Sequence, residues 1–410
     1  MSAGMVIIGA GEAGVRAAVT LRDQGWTGPI TLLGEEPHTP YERPPLSKAY
    51  LTGAHDSLTD IGGSGRLDEL DIDFRPGVTV EAIKRDAKAL MTRSGETLHY
   101  DKLLLAMGAS ARRIRIPKVP DPSILLLRSA EDSDRIRERI REGLHAVIIG
   151  GGFIGLEVAA SLRQRGAEVH VLELQDELMK RAVPGVIAQK IRAEHEARGV
   201  NIHLSTRITD VNTRHDRRML TLSNGQTIQA DMIIAGVGAA PNTGLAESAG
   251  LRIENGVAVD GGMRTEDPDI FAAGDCCSFP HPLYDDLRIR LESWRCAQEQ
   301  AEVAARNMLG ESESYEKAPW FWSDQFDLGL QIVGMTDQGS ETITRDLGER
   351  GRLLFSLRSD GSLAGAAGVA EGNAIARDIK VCERLINRGI KPNPEVLADP
   401  EAPLKPLLKA

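Results

Sequence analysis

Two stretches of the chain carry the same pattern of apolar and small residues. Met5 to Gly14 reads MVIIGAGEAG, and Ala146 to Gly155 reads AVIIGGGFIG. Each is a short apolar run, a glycine cluster, and then apolar positions at helical spacing: Ala17, Ala18 and Leu21 after the first, Leu156, Ala159, Ala160 and Leu162 after the second. Each helical pattern stops near a glycine, Gly25 or Gly166, and a new apolar run begins, Ile30 to Leu33 or Val169 to Glu173. A run too short for a helix, then a 3.6-residue period, then another short run predicts a βαβ unit, here twice.

Between the two units, alternating apolar residues over Ala82 to Tyr100 predict antiparallel strands, and Leu103 to Gly108 predicts a buried strand ending in a glycine turn. Ile202 to Ile228 reads as short strands with an Asn224-Gly225 hairpin, and Met232 to Gly238 as another buried strand. Pro117, Pro120 and Pro122 mark a linker or domain crossing. From Ala318 the pattern changes to strands at Leu330–Val333, Thr342–Thr344, Leu353–Leu357 and Leu363–Val369. A helix follows with Ile375, Ile379, Cys382 and Ile386 on one face. The expected fold is α/β: two Rossmann-like three-layer dinucleotide-binding domains and a C-terminal α+β domain. The boundaries are 1–111 and 242–316 for the first dinucleotide domain, 112–241 for the second and 317–410 for the last.

Composition narrows the function. A formal net charge of −10 disfavours a general nucleic-acid binder, which needs a basic field. Cys276, Cys277, Cys296 and Cys382 make neither a disulfide framework nor a CxxC pair, which fits a reducing, cytoplasmic setting. No basic leader precedes an apolar core at the N-terminus. No run of about eighteen apolar residues occurs, so neither a signal peptide nor a membrane span is expected. No metal-ligand set is assigned.

The chemistry sits in the glycine clusters. In Gly9-x-Gly11-x-x-Gly14 the first glycine allows a tight strand-to-helix turn. The second admits a pyrophosphate against backbone, and the third lets helix and strand pack closely. An acid about twenty residues on should hold the ribose hydroxyls, and Glu35 stands there. Gly150-x-Gly152-x-x-Gly155 repeats the arrangement, with Glu173 as its acid. A carboxylate at that place accepts from a ribose diol and repels a 2′-phosphate, so NADH is expected over NADPH, although Lys180 and Arg181 lie nearby. Two fingerprints imply two dinucleotides. FAD plus NADH is the economical pair, because hydride passes from nicotinamide to flavin.

Other segments carry a family resemblance. Thr265 to Asp275 (TEDPDIFAAGD) resembles the second flavin motif of the glutathione-reductase-like flavoproteins with two dinucleotide-binding domains. Leu105-Ala106-Met107-Gly108 and Ala235 to Asn242 match that family's strand-ending turns. Pro40 to Lys48 (PYERPPLSK), Pro319 to Gln325 (PWFWSDQ) and Leu291 to Gln300 (LESWRCAQEQ) look very like the signatures of the oxygenase-coupled NADH-dependent ferredoxin reductases. The resemblance covers nearly the whole chain.

It implies FAD on the first fingerprint and NADH on the second. Gly9, Gly11, Ala13, Gly14 and Glu35 would cradle the FAD phosphates and adenosine ribose. Val80, Gly108, Arg128, Asp275 and Trp294 match further flavin contacts, and Asp275 would bind the ribityl chain. Arg43 and Lys48 would lie near the flavin, where a lysine charge can stabilise the anionic reduced ring. On the second fingerprint, Gly150, Gly152, Phe153, Ile154, Gly155, Glu173, Arg181 and Gly238 match NADH contacts. Glu157 would lie near the nicotinamide and pair with Lys48, and Trp320 would stack near the nicotinamide or line the electron exit. Lys48, Glu157 and Trp320 are thus the catalytic candidates.

The implied reaction passes hydride from NADH to FAD and then single electrons to a [2Fe-2S] ferredoxin serving a Rieske dioxygenase or a cytochrome P450. The enzyme would be a monomer or homodimer. Such ferredoxins are usually acidic, so Arg288, Arg290 and Arg295 are docking candidates, while Glu302 and Gln331 replace cations of some relatives. Competing readings are an NADH oxidase or peroxidase and an NADH-sensing flavoprotein. The absence of a cysteine over Tyr41 to Ala49 counts against the oxidase. A membrane-bound quinone reductase would need an amphipathic anchor, and Pro403 to Lys409 is too short and Pro-broken for one.

Overall fold

The computed structural model describes residues 3–120, 123–214 and 217–409; Pro122 of the expected linker lies outside them. The chain divides into two compact units. The first comprises residues 1–42, 58–110 and 240–319, and the second comprises 43–57, 111–239 and 320–410. Arg43–Ser57, within the stretch read as part of the first dinucleotide domain, thus groups with the second unit.

The first unit is built on a parallel sheet ordered Ile270–Ala272, Lys102–Leu105, Met5–Ile8, Ile30–Leu33, Asp73–Arg75. Its central strand Met5–Ile8 is apolar and buried at every position, as a parallel sheet covered on both faces requires, while the edge strand Asp73–Arg75 is largely polar. Two helices pack together on it: Glu12–Asp23, which buries Ala13, Ala17, Ala18 and Leu21, and Trp294–Met308. The expected antiparallel strands appear as Val80–Lys84, Ala89–Thr92 and Thr97–His99.

The second unit repeats the plan. Its parallel sheet runs Val200–His203, Glu168–Leu172, His145–Ile149, Met232–Ala235, Ile124–Leu125. The helices Phe153–Gln164 and Gly185–Ala197 cover it, burying Leu156, Val158, Ala159 and Leu162 from one and Ile187, Ala188 and Ile191 from the other. The hairpin expected at Asn224-Gly225 joins Arg217–Leu222 to Thr227–Ala230, with Gly225 at φ +85°.

The C-terminal strands form a five-stranded antiparallel sheet ordered Trp320–Gln325, Leu328–Gly334, Leu363–Glu371, Gly351–Leu357, Glu341–Asp346. The expected helix, Ala376–Asn387, packs against it. Leu330, Ala367 and Val369 of this sheet lie in one core with Leu156, Leu162 and Ile187. The edge strand Trp320–Gln325 packs on the helix Phe153–Gln164. Phe321, Ser323 and Gln325 alternate with Trp320, Trp322 and Asp324, so the strand presents two chemically different faces.

Candidate active site

Both glycine clusters are built for a ligand that approaches backbone. Gly9 and Gly150 have φ of +108° and +106°. A Cβ at Gly9 would meet the Ala106 carbonyl oxygen at 2.2 Å, and one at Gly150 the Gly236 oxygen at 2.3 Å. At Gly14 and Gly155 a Cβ would strike the Gly9 and Gly150 oxygens at 1.9 and 2.2 Å, so each helix can lie on its strand only where no side chain intervenes. At Gly11 and Gly152 nothing lies within 4 Å. Each of these open glycines caps its helix without a side-chain hydrogen bond, which leaves first-turn N–H groups for an anion. Turn, close contact and open helix start suit the diphosphate of a dinucleotide at both places.

In the first unit, Gly274 has φ +79°, and its Cβ would stand 3.2 Å from that of Ala13. This close approach sets Asp275 beside the fingerprint helix. The Gly274 N–H donates to Gln300 Oε1 at 2.9 Å. Trp294 opens the helix Trp294–Met308, and one turn on Gln298 Nε2 donates to Glu12 Oε1 at 2.6 Å. Burial pushes the Glu12 carboxyl above its ordinary value, opposed by that bond, and Glu12 Oε2 is buried with no partner among the described residues. Glu35 is exposed just past its strand and accepts from Thr79 Oγ1 at 3.4 Å, next to Val80. Gly108, at φ +65°, accepts from the Asn242 N–H at 3.0 Å.

In the second unit, Glu173 lies over its glycine loop: Oε2 accepts from the Gly151 N–H at 2.7 Å and Oε1 from the Gln175 N–H at 2.8 Å. Lys180 is tied to Asp176 at 2.6 Å, whereas Arg181 is exposed. Phe153 packs on Phe321 with centroids 4.4 Å apart, and Ile154 is 46% exposed beside the open glycine. Gly238, at φ +98°, accepts from the Arg112 N–H at 2.9 Å.

The same unit brings four sequence-predicted residues together around the turn Pro44–Ser47. Arg43 Nη1 donates to the Arg128 carbonyl at 2.7 Å. Lys48 Nζ meets Glu157 Oε2 at 2.8 Å. Glu157 is 3% exposed, and its carboxylate also accepts from Ser47 Oγ at 2.5 Å and Ser323 Oγ at 2.6 Å. Ser161 Oγ donates to the Ser47 carbonyl at 2.6 Å and pins the turn to the helix. Trp320 stacks on Trp322, centroids 5.3 Å apart, on the strand face opposite Ser323. The roles of Ser47 and Ser323 were missed in the sequence: both stand inside quoted signatures, and nothing local marks a serine as a carboxylate donor.

A model of the pyridine nucleotide-disulphide oxidoreductase family matches residues 4–301, and a reductase C-terminal model matches 320–408. The chain belongs to the pyridine nucleotide-disulphide oxidoreductase family. It is 37% identical to the ferredoxin–NAD(+) reductase component of the anthranilate 1,2-dioxygenase system of Burkholderia cepacia, over 98% of both chains. It is 36% identical to rhodocoxin reductase of Rhodococcus erythropolis, over 98% of this chain and 93% of that one. Among solved structures, putidaredoxin reductase in its covalent complex with putidaredoxin matches with a TM-score of 0.92 and 32% identity, over 99% and 98% of the two chains. The fold is the expected one, and the protein is an oxidoreductase that uses FAD and NADH.

Disulphide-reducing members of this family need a reactive thiol pair. Here all four cysteines are free and buried. Burial pushes the Cys276 thiol up to about 11 and the Cys277 thiol well above its ordinary value, so neither supplies a thiolate near neutral pH. Each of the three docking candidates is paired with a glutamate. Arg288 pairs with Glu254 and donates to the Val259 and Ser278 carbonyls, Arg290 pairs with Glu292, and Arg295 pairs with Glu299. No helix among the described residues is long and apolar enough to cross a membrane.

Proposed function

We infer that the chain is an NADH:ferredoxin oxidoreductase whose acceptor is a [2Fe-2S] ferredoxin of an oxygenase system, either a Rieske dioxygenase or a cytochrome P450. The observation that carries this reading is the ion pair of Lys48 with Glu157, a buried carboxylate on the helix that the second fingerprint opens, in a chain whose thiols are all buried. Ferredoxin acceptors named for its relatives support it. Four buried free thiols suit a cytoplasmic setting.

Bound FAD supplies the conversion between a two-electron hydride donor and one-electron acceptors. The chain's own residues do the rest. Gly9, Gly11, Ala13 and Gly14 would hold the FAD diphosphate, Glu35 and Val80 its adenosine end, and Gly108, Asp275 and Trp294 its ribityl and ring portions, with Arg43 and Arg128 as further contacts. Gly150, Gly152, Gly155 and Gly238 would hold the NADH backbone, Glu173 its ribose diol, and Phe153 and Ile154 the wall beside it, with Arg181 at the rim. Lys48 places a positive charge held by Glu157 where negative charge develops. Trp320, with Trp322 behind it, would provide a stacking surface or line the electron exit.

The test is steady-state NADH oxidation by the purified holoprotein, with cytochrome c as reporter, with and without a [2Fe-2S] ferredoxin. Strong dependence on the ferredoxin and slow reaction with oxygen alone are expected. Rapid oxygen consumption without ferredoxin would overturn the reading in favour of an oxidase.

A further inference from the structure

A line of buried polar groups runs from the helix Gly185–Ala197 to the Lys48–Glu157 pair. His195 Nε2 donates to Gln325 Oε1 at 2.9 Å. Gln325 Nε2 donates to Ser323 Oγ at 3.1 Å, and Ser323 Oγ donates to Glu157 Oε1 at 2.6 Å. His195, Gln325, Ser323 and Glu157 are 0, 2, 0 and 3% exposed, so no bulk water competes for these bonds.

The line has a direction. A serine hydroxyl has one hydrogen. With the Gln325 amide donating into the Ser323 oxygen, that hydrogen is left for Glu157. On its far side the Gln325 carbonyl faces His195 Nε2, whose N–H donates to it, and burial lowers the His195 pKa. On its other oxygen Glu157 meets Lys48, which can only donate, and Ser47. Every donor therefore points at one carboxylate and fixes its plane. Turned over, the amide would offer Ser323 an acceptor, draw the hydroxyl hydrogen away and leave Glu157 Oε1 facing a lone pair.

We propose that Gln325 is a positioning residue for hydride transfer: acting through Ser323, it fixes the polarity of the bond to Glu157 and so the placement of the Lys48 ammonium. This rests on the reductase reading and adds to it a determinant that touches neither nucleotide by this argument.

The experiment compares Q325E, S323A, S323T and the double variant S323A/Q325E as holoproteins. Q325E keeps the shape but replaces the donor with an acceptor, so Ser323 turns toward position 325. Two readouts are taken: the rate constant of flavin reduction by NADH in stopped flow without ferredoxin, and the acetylation rate of Lys48 by acetic anhydride at fixed pH without NADH, read by peptide mass spectrometry. Q325E and S323A are expected to slow reduction about tenfold and to change Lys48 labelling severalfold. The double variant should be no worse than S323A, and S323T should recover most of the lost rate. A Q325E protein that matches the parent in both readouts, or a double variant whose defects multiply, overturns the proposal. If Q325E does not fold, Q325L decides: slowed flavin reduction is expected, and loss in S323A without any loss in Q325L would overturn the proposal. Failure of the parent protein to be reduced by NADH would instead sink the reductase reading.

Discussion

Glu157 and Lys48 are unequal partners. The glutamate is 3% exposed and the lysine side chain 22%. Removing one member of a buried pair leaves the other charge in low dielectric, and that cost grows with burial. Lys48→Met is therefore expected to destabilise the protein more than Glu157→Gln, by roughly 1–2 kcal/mol in urea unfolding of the holoprotein. Equal losses would mean that Ser47 and Ser323 alone satisfy the carboxylate. Glu173 carries a second expectation at this scale. With its carboxylate over the loop and Arg181 exposed nearby, Glu173→Ser should lower the NADH to NADPH ratio of kcat/KM at least about tenfold, since a 2′-phosphate would no longer meet a negative charge. An unchanged ratio would move the selectivity elsewhere.

At the scale of the element, the glycine loops separate two demands that a motif runs together. Gly14→Ala forces a Cβ into the Gly9 carbonyl and should cost about 1–3 kcal/mol of stability. Gly11→Ala faces open space at φ −85° and should cost little, yet lower the FAD content of the purified protein, read from flavin absorbance per chain. Comparable stability losses in the two variants would show that the open space is not a ligand cradle. These loops were legible in the sequence because the first and third glycine of each answer to backbone in the same unit, the second stands open, and the acid follows at a spacing the βαβ unit imposes. The Trp320–Gln325 strand was only half legible. Its aromatic content marked it, but Ser323 and Gln325 earn their meaning from Glu157 and His195, more than a hundred residues away in the chain. Period-two alternation, with Phe321, Ser323 and Gln325 sharing a face, was the one local clue. The docking candidates near Trp294 are likewise not legible by proximity alone, because each guanidinium also has a glutamate partner that its sequence neighbours do not announce.

At the scale of the whole molecule, acid should weaken the fold through its buried histidines. His281 is fully buried, donates from Nε2 to the Lys317 carbonyl and accepts at Nδ1 from the Leu283 N–H, and has its pKa pushed down from 6.5 to about 4 by burial. The unfolded chain takes up the proton first as pH falls, so stability present above about 6.5 is lost on the way down to about 4, by on the order of 3 kcal/mol for this residue. His195 shifts in the same direction for the same cause. Urea unfolding at pH 7.5 and 5.0 should show a smaller pH-dependent difference in His281→Gln than in the parent, and an identical difference would remove His281 from the account.

The buried thiols carry a last consequence, for endurance. A protein that hands on electrons one at a time leaks some of them to oxygen, and the peroxide so formed attacks thiolates first. With Cys276 held near 11 and all four sulfurs out of solvent, this enzyme offers that peroxide almost no target in its own fold. The native protein should show no thiol reactive toward Ellman's reagent and the unfolded chain all four. It should therefore survive its own by-product over many turnovers without added reductant.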